Sequence, residues 1–130
     1  MRDPFREGLA AGWKHVDASQ LAVDLPIEAD VVIIGSGAGG GVTAEILAAN
    51  GLKVVIVEEG PLRTSSDFKM REAEAYPDRY QESAARKTAD KAINILQGRC
   101  VGGSTTVNWT SSFRTPPRTL QWWQSAWGLK

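Results

Sequence analysis

Residues 29–60 read ADVVIIGSGAGGGVTAEILAANGLKVVIVEEG, and few folds can be built around such a stretch. Val31 to Ile34 is an unbroken β-branched run, the pattern of a parallel strand covered on both faces. Gly35, Gly37 and Gly40 then match G-x-G-x-x-G directly at the strand's end. The spacing predicts a helix over 38–50 with Val42, Ile46 and Ala49 on one face and Asn50-Gly51 as a left-handed stop. A second buried strand is expected over 53–57, ending at Glu58. Two parallel strands need a crossover between them, so the stretch commits the chain to an α/β fold.

The same residues carry chemistry. Gly35 permits the tight turn, and Gly37 removes a Cβ where a pyrophosphate would approach the backbone. Gly40, with Gly41, is expected to let the helix lie close against the sheet. The amides around Ala38 and Gly39 open the helix without intrahelical acceptors and at the positive end of its dipole, an arrangement suited to phosphate. Glu58 stands 23 residues past Gly35, placed to accept hydrogen bonds from an adenosine ribose, and its charge disfavours a 2′-phosphate. A glycine-rich packing turn in an unrelated α/β domain would lack this combination of strand, helix and acid. The unit reads as a dinucleotide site, for NAD or FAD alike.

The rest of the chain narrows the class. At 130 residues it suits one domain. A formal net charge of +0 supplies no basic excess for nucleic acid or an anionic membrane. The single cysteine, Cys100, cannot form an internal disulfide. No apolar run approaches the roughly 18 residues of a membrane span. The opening MRDPFREGLAAGWKH interrupts any leader-like core with charges and a proline. These features together predict a cytoplasmic protein. The organisation expected is an N-terminal extension over 1–28 and a partial cofactor-binding domain over 29–130.

At the other end, TLQWWQSAWGLK holds Leu120, Trp123 and Trp127 at helical spacing, and such a face needs a partner. The chain is therefore expected to be the first portion of a longer protein. Trp122, Trp123 and Trp127 could wall a substrate channel, but their spacing favours helical core packing.

Between β-branched unit and C-terminus, residues 61–89 are polar and mixed. A helix within SSDFKMREAEA should end at Tyr76-Pro77, and DRYQESAA should form another helical turn. A simple NAD domain would place a third parallel strand soon after Glu58, whereas about thirty residues without a buried strand intervene here. ARKTADKAINILQG resembles a short hairpin turning at Asp90-Lys91.

A second glycine turn follows, GRCVGGSTTVNW over 98–109. Ser104 is expected to cap a short helix, with the Gly102 and Gly103 amides facing outward. Two such turns suggest one ligand long enough to touch both, and FAD has that shape.

The pair DVVIIGSGAGGGVTAEILA…VVIVEEG and QGRCVGGSTTVNW resembles the glucose–methanol–choline (GMC) oxidoreductases, whose fingerprint is followed by G-R-x-x-G-G-S-S/T-x-x-N. The VNW ending is most similar to bacterial dehydrogenases and long-chain alcohol oxidases. The resemblance implies the N-terminal part of a Rossmann-like FAD-binding domain and an oxidoreductase acting on CH–OH groups of a small-molecule alcohol. It leaves the electron acceptor open. It implies that Gly35, Gly37 and Gly40 hold the pyrophosphate, with Ala38 and Gly39 between them, and that Glu58 holds the ribose. Gly102, Gly103 and Ser104 would line the flavin side, and Asn108 and Trp109 would reach the isoalloxazine ring. Arg99 could neutralise the pyrophosphate or brace the turn.

Some relatives link flavin through a histidine just before this asparagine. Val107 occupies that position here, so FAD is expected to bind non-covalently. The family's histidine base would lie outside these residues, leaving no catalytic residue in this chain and no activity for the chain alone. His15 reads as a surface histidine and Cys100 as a small buried hydrophobe. The readings that compete with this one are a nucleotide-binding domain of another NAD- or FAD-dependent dehydrogenase family and an inactive cofactor-binding remnant.

Overall fold

In a computed structural model describing residues 2–130, a short parallel sheet carries the architecture. Strand β1 (Val31–Ile34) pairs with β2 (Val54–Val57) in parallel, Val31 opposite Val54 and Ile34 opposite Val57. Among the elements in chain order, α1 (Pro4–Ala10) precedes the sheet and α2 (Ala38–Ala49) crosses between the strands. The crossover helix stops as expected, with Gly51 at φ 86° after Asn50. At the sheet's entry the Asp30 carboxylate accepts a hydrogen bond from the Lys53 amide at 2.7 Å.

Helix α2 covers one face of this sheet. Val31 and Ile33 lie half-buried beneath it, while Val32 and Ile34 are 59% and 89% exposed on the other face. The expectation of burial on both faces is thus corrected. A β-branched run encodes two covering layers, and only one is present among the described residues. The approach of α2 depends on Gly40, where a Cβ would overlap the Gly35 carbonyl oxygen and come within 3.3 Å of Ile33 Cγ2. Gly41 was expected to share that role, but a Cβ there meets Ser36 O at an ordinary 3.9 Å.

Two local expectations fail beyond β2. Helix α3 (Glu72–Arg79) runs through Pro77 instead of ending before it. Pro77 removes one ladder donor, but its last turn is tied down from outside. Arg63 grips Asp78 at 2.6 Å, Tyr76 and Tyr80 meet edge to face at 5.2 Å, and Arg79 sits 4.8 Å over the Phe68 ring. The expected helical turn after it, Gln81–Ala84, is left-handed, with Glu82, Ser83 and Ala84 at φ 52°, 53° and 66°. The Arg86 guanidinium, 2.9 Å from the Glu82 carboxylate, braces this turn.

The hairpin turns where expected, closed by the Lys91 amide donating to Thr88 O at 2.8 Å. It forms as isolated pairs, Lys87 with Asn94 and Tyr80 with Gly98, not as continuous strands. The second pair lays residues 97–99 against the end of α3, which carries the second glycine turn toward the sheet.

The N-terminal extension is clasped to the segment after β2. Asp3 caps α1 through the Arg6 amide at 3.1 Å, and its other oxygen accepts from the Ser66 amide and hydroxyl at 3.1 and 2.7 Å. Arg6 reaches Thr64 Oγ1 and Asp67 Oδ1 at 3.2 and 2.7 Å.

Helices α4 (Ser104–Val107) and α5 (Pro117–Trp127) complete the chain. Core packing was expected for the tryptophans of α5, yet Trp122, Trp123 and Trp127 are 58%, 37% and 69% exposed. The total exposed surface is 10711 Å². A folded 14.1 kDa monomer is expected to expose about 6,700 Å². Much apolar surface therefore remains uncovered. Among the described residues, no helix is long and apolar enough to cross a membrane.

Candidate functional site

The first glycine turn leaves β1 through Gly35, at φ 91°, whose amide donates to Val57 O at 2.8 Å. Gly37 then takes the N-cap position of α2, where it brings no side chain to cap the helix. The first helical hydrogen bond runs from the Gly41 amide to Gly37 O at 2.8 Å. Among the described residues, the amides of Gly37, Ala38, Gly39 and Gly40 find no acceptor. A Cβ on Gly37 would meet no described atom within 4 Å. The helix end thus presents unpaired donors and positive potential to open space, which fits a pyrophosphate. A cleft of about 490 Å³ opens there, and Gly35, Gly37, Ala38, Glu58, Gly103 and Ser104 all line it.

Glu58 closes this cleft at the end of β2. Its Oε2 accepts from the Ser36 amide at 2.9 Å and the Ser36 hydroxyl at 2.6 Å, while Oε1 accepts from the Gly60 amide at 3.0 Å. Burial alone would push the carboxyl's pKa up, but the donors from Ser36 and Gly60 outweigh it and hold the pKa below the usual value. A group depressed on folding contributes stability that is complete above its unfolded pKa and lost as pH falls through the folded one. The gap in unfolding midpoint between wild type and Glu58→Gln should therefore stay constant from neutrality to about pH 5. It should shrink only at lower pH. A gap that closed above pH 5 would contradict this arrangement.

The second turn lies directly against the first. Gly103, at φ 54° and ψ −138°, is the N-cap of α4, and a Cβ on it would come within 3.2 Å of Gly37 Cα. Two expectations are corrected here. Ser104 does not cap α4, because its hydroxyl accepts from the Gly98 amide at 3.0 Å. The Gly102 and Gly103 amides do not face outward, since they donate to Ser36 Oγ at 2.9 Å and Cys100 O at 2.8 Å. The reason is proximity: the turn folds onto β2's end and spends its donors within the protein.

A second cleft, of about 450 Å³, lies beyond Ser104, which lines both; Leu96, Val107, Asn108 and Trp109 line this one. Asn108 Oδ1 accepts from the Thr110 amide at 2.8 Å, and Trp109 is 84% exposed. Tyr80 steadies the end of α4 by donating its hydroxyl to Val107 O at 3.3 Å.

Some expected site residues stand apart. Gly39, Gly40, Gly102 and Arg99 line neither cleft. Arg99 pairs with Glu59 at 3.3 Å, which favours its bracing role. Cys100 is fully buried, and burial pushes its thiol pKa up, as suits an inert packing residue. His15 is exposed and lines neither cleft.

Sequence reasoning missed Ser36 and Gly60, and gave Gly98, the first residue of the second motif, no role of its own. A Cβ on Gly60 would overlap the backbone of Arg99 and Cys100, and one on Gly98 would overlap the Gly103 carbonyl. These glycines permit the two turns to nest. Their signal was present as single glycines, one just after β2 and one opening the second motif.

A family model described as GMC oxidoreductase matches residues 29–130. A long-chain-alcohol oxidase of Arabidopsis thaliana, FAO4B, is 40% identical over 104 residues, covering 80% of this chain and 14% of the plant protein. An uncharacterized GMC-type oxidoreductase of Sinorhizobium fredii is 35% identical over 111 residues, 85% of this chain and 22% of its own length. A further uncharacterized GMC-type oxidoreductase, from Mycobacterium tuberculosis, is 36% identical across 98% of this chain and 22% of its own. The chain thus spans between 14% and 22% of the length of these relatives. No solved structure matches it.

Proposed function

We propose, from the premise that the chain belongs to the GMC oxidoreductase family, that it forms the FAD-binding N-terminal portion of a larger oxidoreductase acting on alcohols. The observation that carries this reading is the nesting of the two glycine turns. Unpaired helix amides and an acid line one cleft, Asn108 and Trp109 line the next, and Ser104 belongs to both. A dinucleotide with a ring system at its far end would run from one cleft into the other.

When bound, FAD would supply the acceptor for a hydride from the alcohol carbon. The residues of this chain hold it in place. The amides of Gly37 and Ala38, which line the first cleft, bind pyrophosphate oxygens, and Glu58 accepts from the ribose through the remaining lone pair of Oε1. Asn108 and Trp109 orient the ring. The base that takes the hydroxyl proton lies outside these residues, in keeping with the exposed position of His15. The uncovered faces of β1 and α5 are then the surfaces on which the remainder of a Rossmann-like domain packs. The similarity to long-chain-alcohol oxidases favours an aliphatic alcohol as donor.

Val107 at the position before Asn108 has no nucleophilic side chain, so the flavin is held without a covalent bond. The full-length protein should purify yellow, and acid precipitation should leave stoichiometric FAD in the supernatant and a colourless pellet. Colour retained in the pellet would overturn the non-covalent attachment. NAD in place of flavin in the extract would overturn the cofactor assignment.

A further inference from the structure

Ser36 sits between the first two glycines of the fingerprint, and its hydroxyl joins three parts of the fold. Its single proton goes to Glu58 Oε2 at 2.6 Å, and its oxygen accepts the Gly102 amide at 2.9 Å. Ser36 and Gly102 are 66 residues apart in the chain. The hydroxyl is thus the hydrogen-bonded link between the acid at the end of β2 and the second glycine turn. That turn is already held to narrow tolerance, with Gly103 packed against Gly37 at positive φ.

We propose that Ser36 is a positioning residue that sets the spacing between the two halves of the cofactor site, the adenosine half at the first turn and the flavin half at the second. The proposal rests on the reading of the clefts as a single FAD site. Ser36 Oγ satisfies the Gly102 amide, which is half-buried and finds no other acceptor among the described residues. Without the hydroxyl that half-buried amide loses its partner, and an unsatisfied donor drives the turn toward water. Glu58 is less affected, because it keeps the Ser36 backbone amide at 2.9 Å and the Gly60 amide at 3.0 Å. The hydroxyl also occupies Oε2 together with the Ser36 amide, leaving Oε1 as the oxygen that meets the ligand. One side chain therefore coordinates both ends while itself lining neither cleft.

The test compares a ligand that spans both turns with one that reaches only the first. FAD and ADP are titrated into the deflavinated full-length protein, as wild type and as Ser36→Ala. The substitution should weaken FAD by about tenfold, the loss expected for one hydrogen bond. ADP should weaken by less than about threefold, since its adenosine and pyrophosphate contacts remain. Ser36→Cys keeps the volume with a weak donor and should show the same split if Ser36→Ala does not fold. Equal weakening of both ligands, or no weakening of either, would overturn the proposal while leaving the FAD assignment intact. A wild-type protein that binds ADP and not FAD would overturn both.

Discussion

A Gly37→Val variant of the full-length protein should purify folded and colourless. The backbone at this position, φ −64° and ψ −172°, is open to any residue, and a Cβ would meet no described atom within 4 Å. The protein itself therefore raises no objection to the side chain. The cost to α2 is that of a poorer N-cap, about 1 kcal/mol at most. The branched side chain would instead fill the space in front of the unpaired amides of residues 37–40. Phosphate oxygens could no longer reach those donors. Retention of FAD should fall by at least about a hundredfold, or about 2.7 kcal/mol. Flavin absorbance at wild-type stoichiometry in this variant would remove the first turn from the cofactor site. Loss of flavin accompanied by a collapse of apoprotein stability would show that the residue acts through the fold.

How much of this arrangement the sequence displays depends on how local its causes are. The bounds of the βαβ unit were legible nearly to the residue, because β-branched strands and a glycine turn are neighbours in the chain. The helix face was not: Val42, Ile46 and Ala49 are exposed, and it is Ala44 and Leu47 of α2 that lie half-buried. The sequence suggested one ligand reaching both turns, but not that the turns touch each other, Gly103 against Gly37, nor the details of that contact. Ser104 looks like a helix cap by composition, but the nearby Gly98 amide engages its hydroxyl, and Gly103 takes the cap position with a positive φ. Pro77 obeys a local rule that tertiary contacts override, as Arg63 and Phe68 hold the turn it would have broken. Ser36 is the instructive omission. A hydroxyl inside a glycine turn, opposite an acid at the next strand's end, marks a hydrogen bond between the two. Its bond to Gly102 crosses 66 residues and could not be read from either motif alone.

Gly40→Ala should be more damaging than Gly37→Val even though the added group is smaller. A methyl at Gly40 would overlap the Gly35 carbonyl oxygen, lie 3.1 Å from the carbonyl carbon and 3.3 Å from Ile33 Cγ2. Neither neighbour can yield cheaply. Gly35 is held at φ 91° with its amide on Val57 O at 2.8 Å, and Ile33 lies in β1 beneath the helix. Relief requires α2 to lift from the sheet, which dismantles the glycine turn and the helix end together. Overpacking of this kind costs about 1–3 kcal/mol, and the upper end is expected where backbone is the obstacle. The variant should lose both flavin and thermal stability. Gly41→Ala provides the contrast within the same run of glycines. Its Cβ would meet Ser36 O at 3.9 Å, ordinary contact, and alanine is the better helix former by about 0.5–1 kcal/mol. It should leave flavin content unchanged and raise the unfolding midpoint. If Gly40→Ala and Gly41→Ala behaved alike, the close approach of α2 to β1 would not be what places the cofactor's donors.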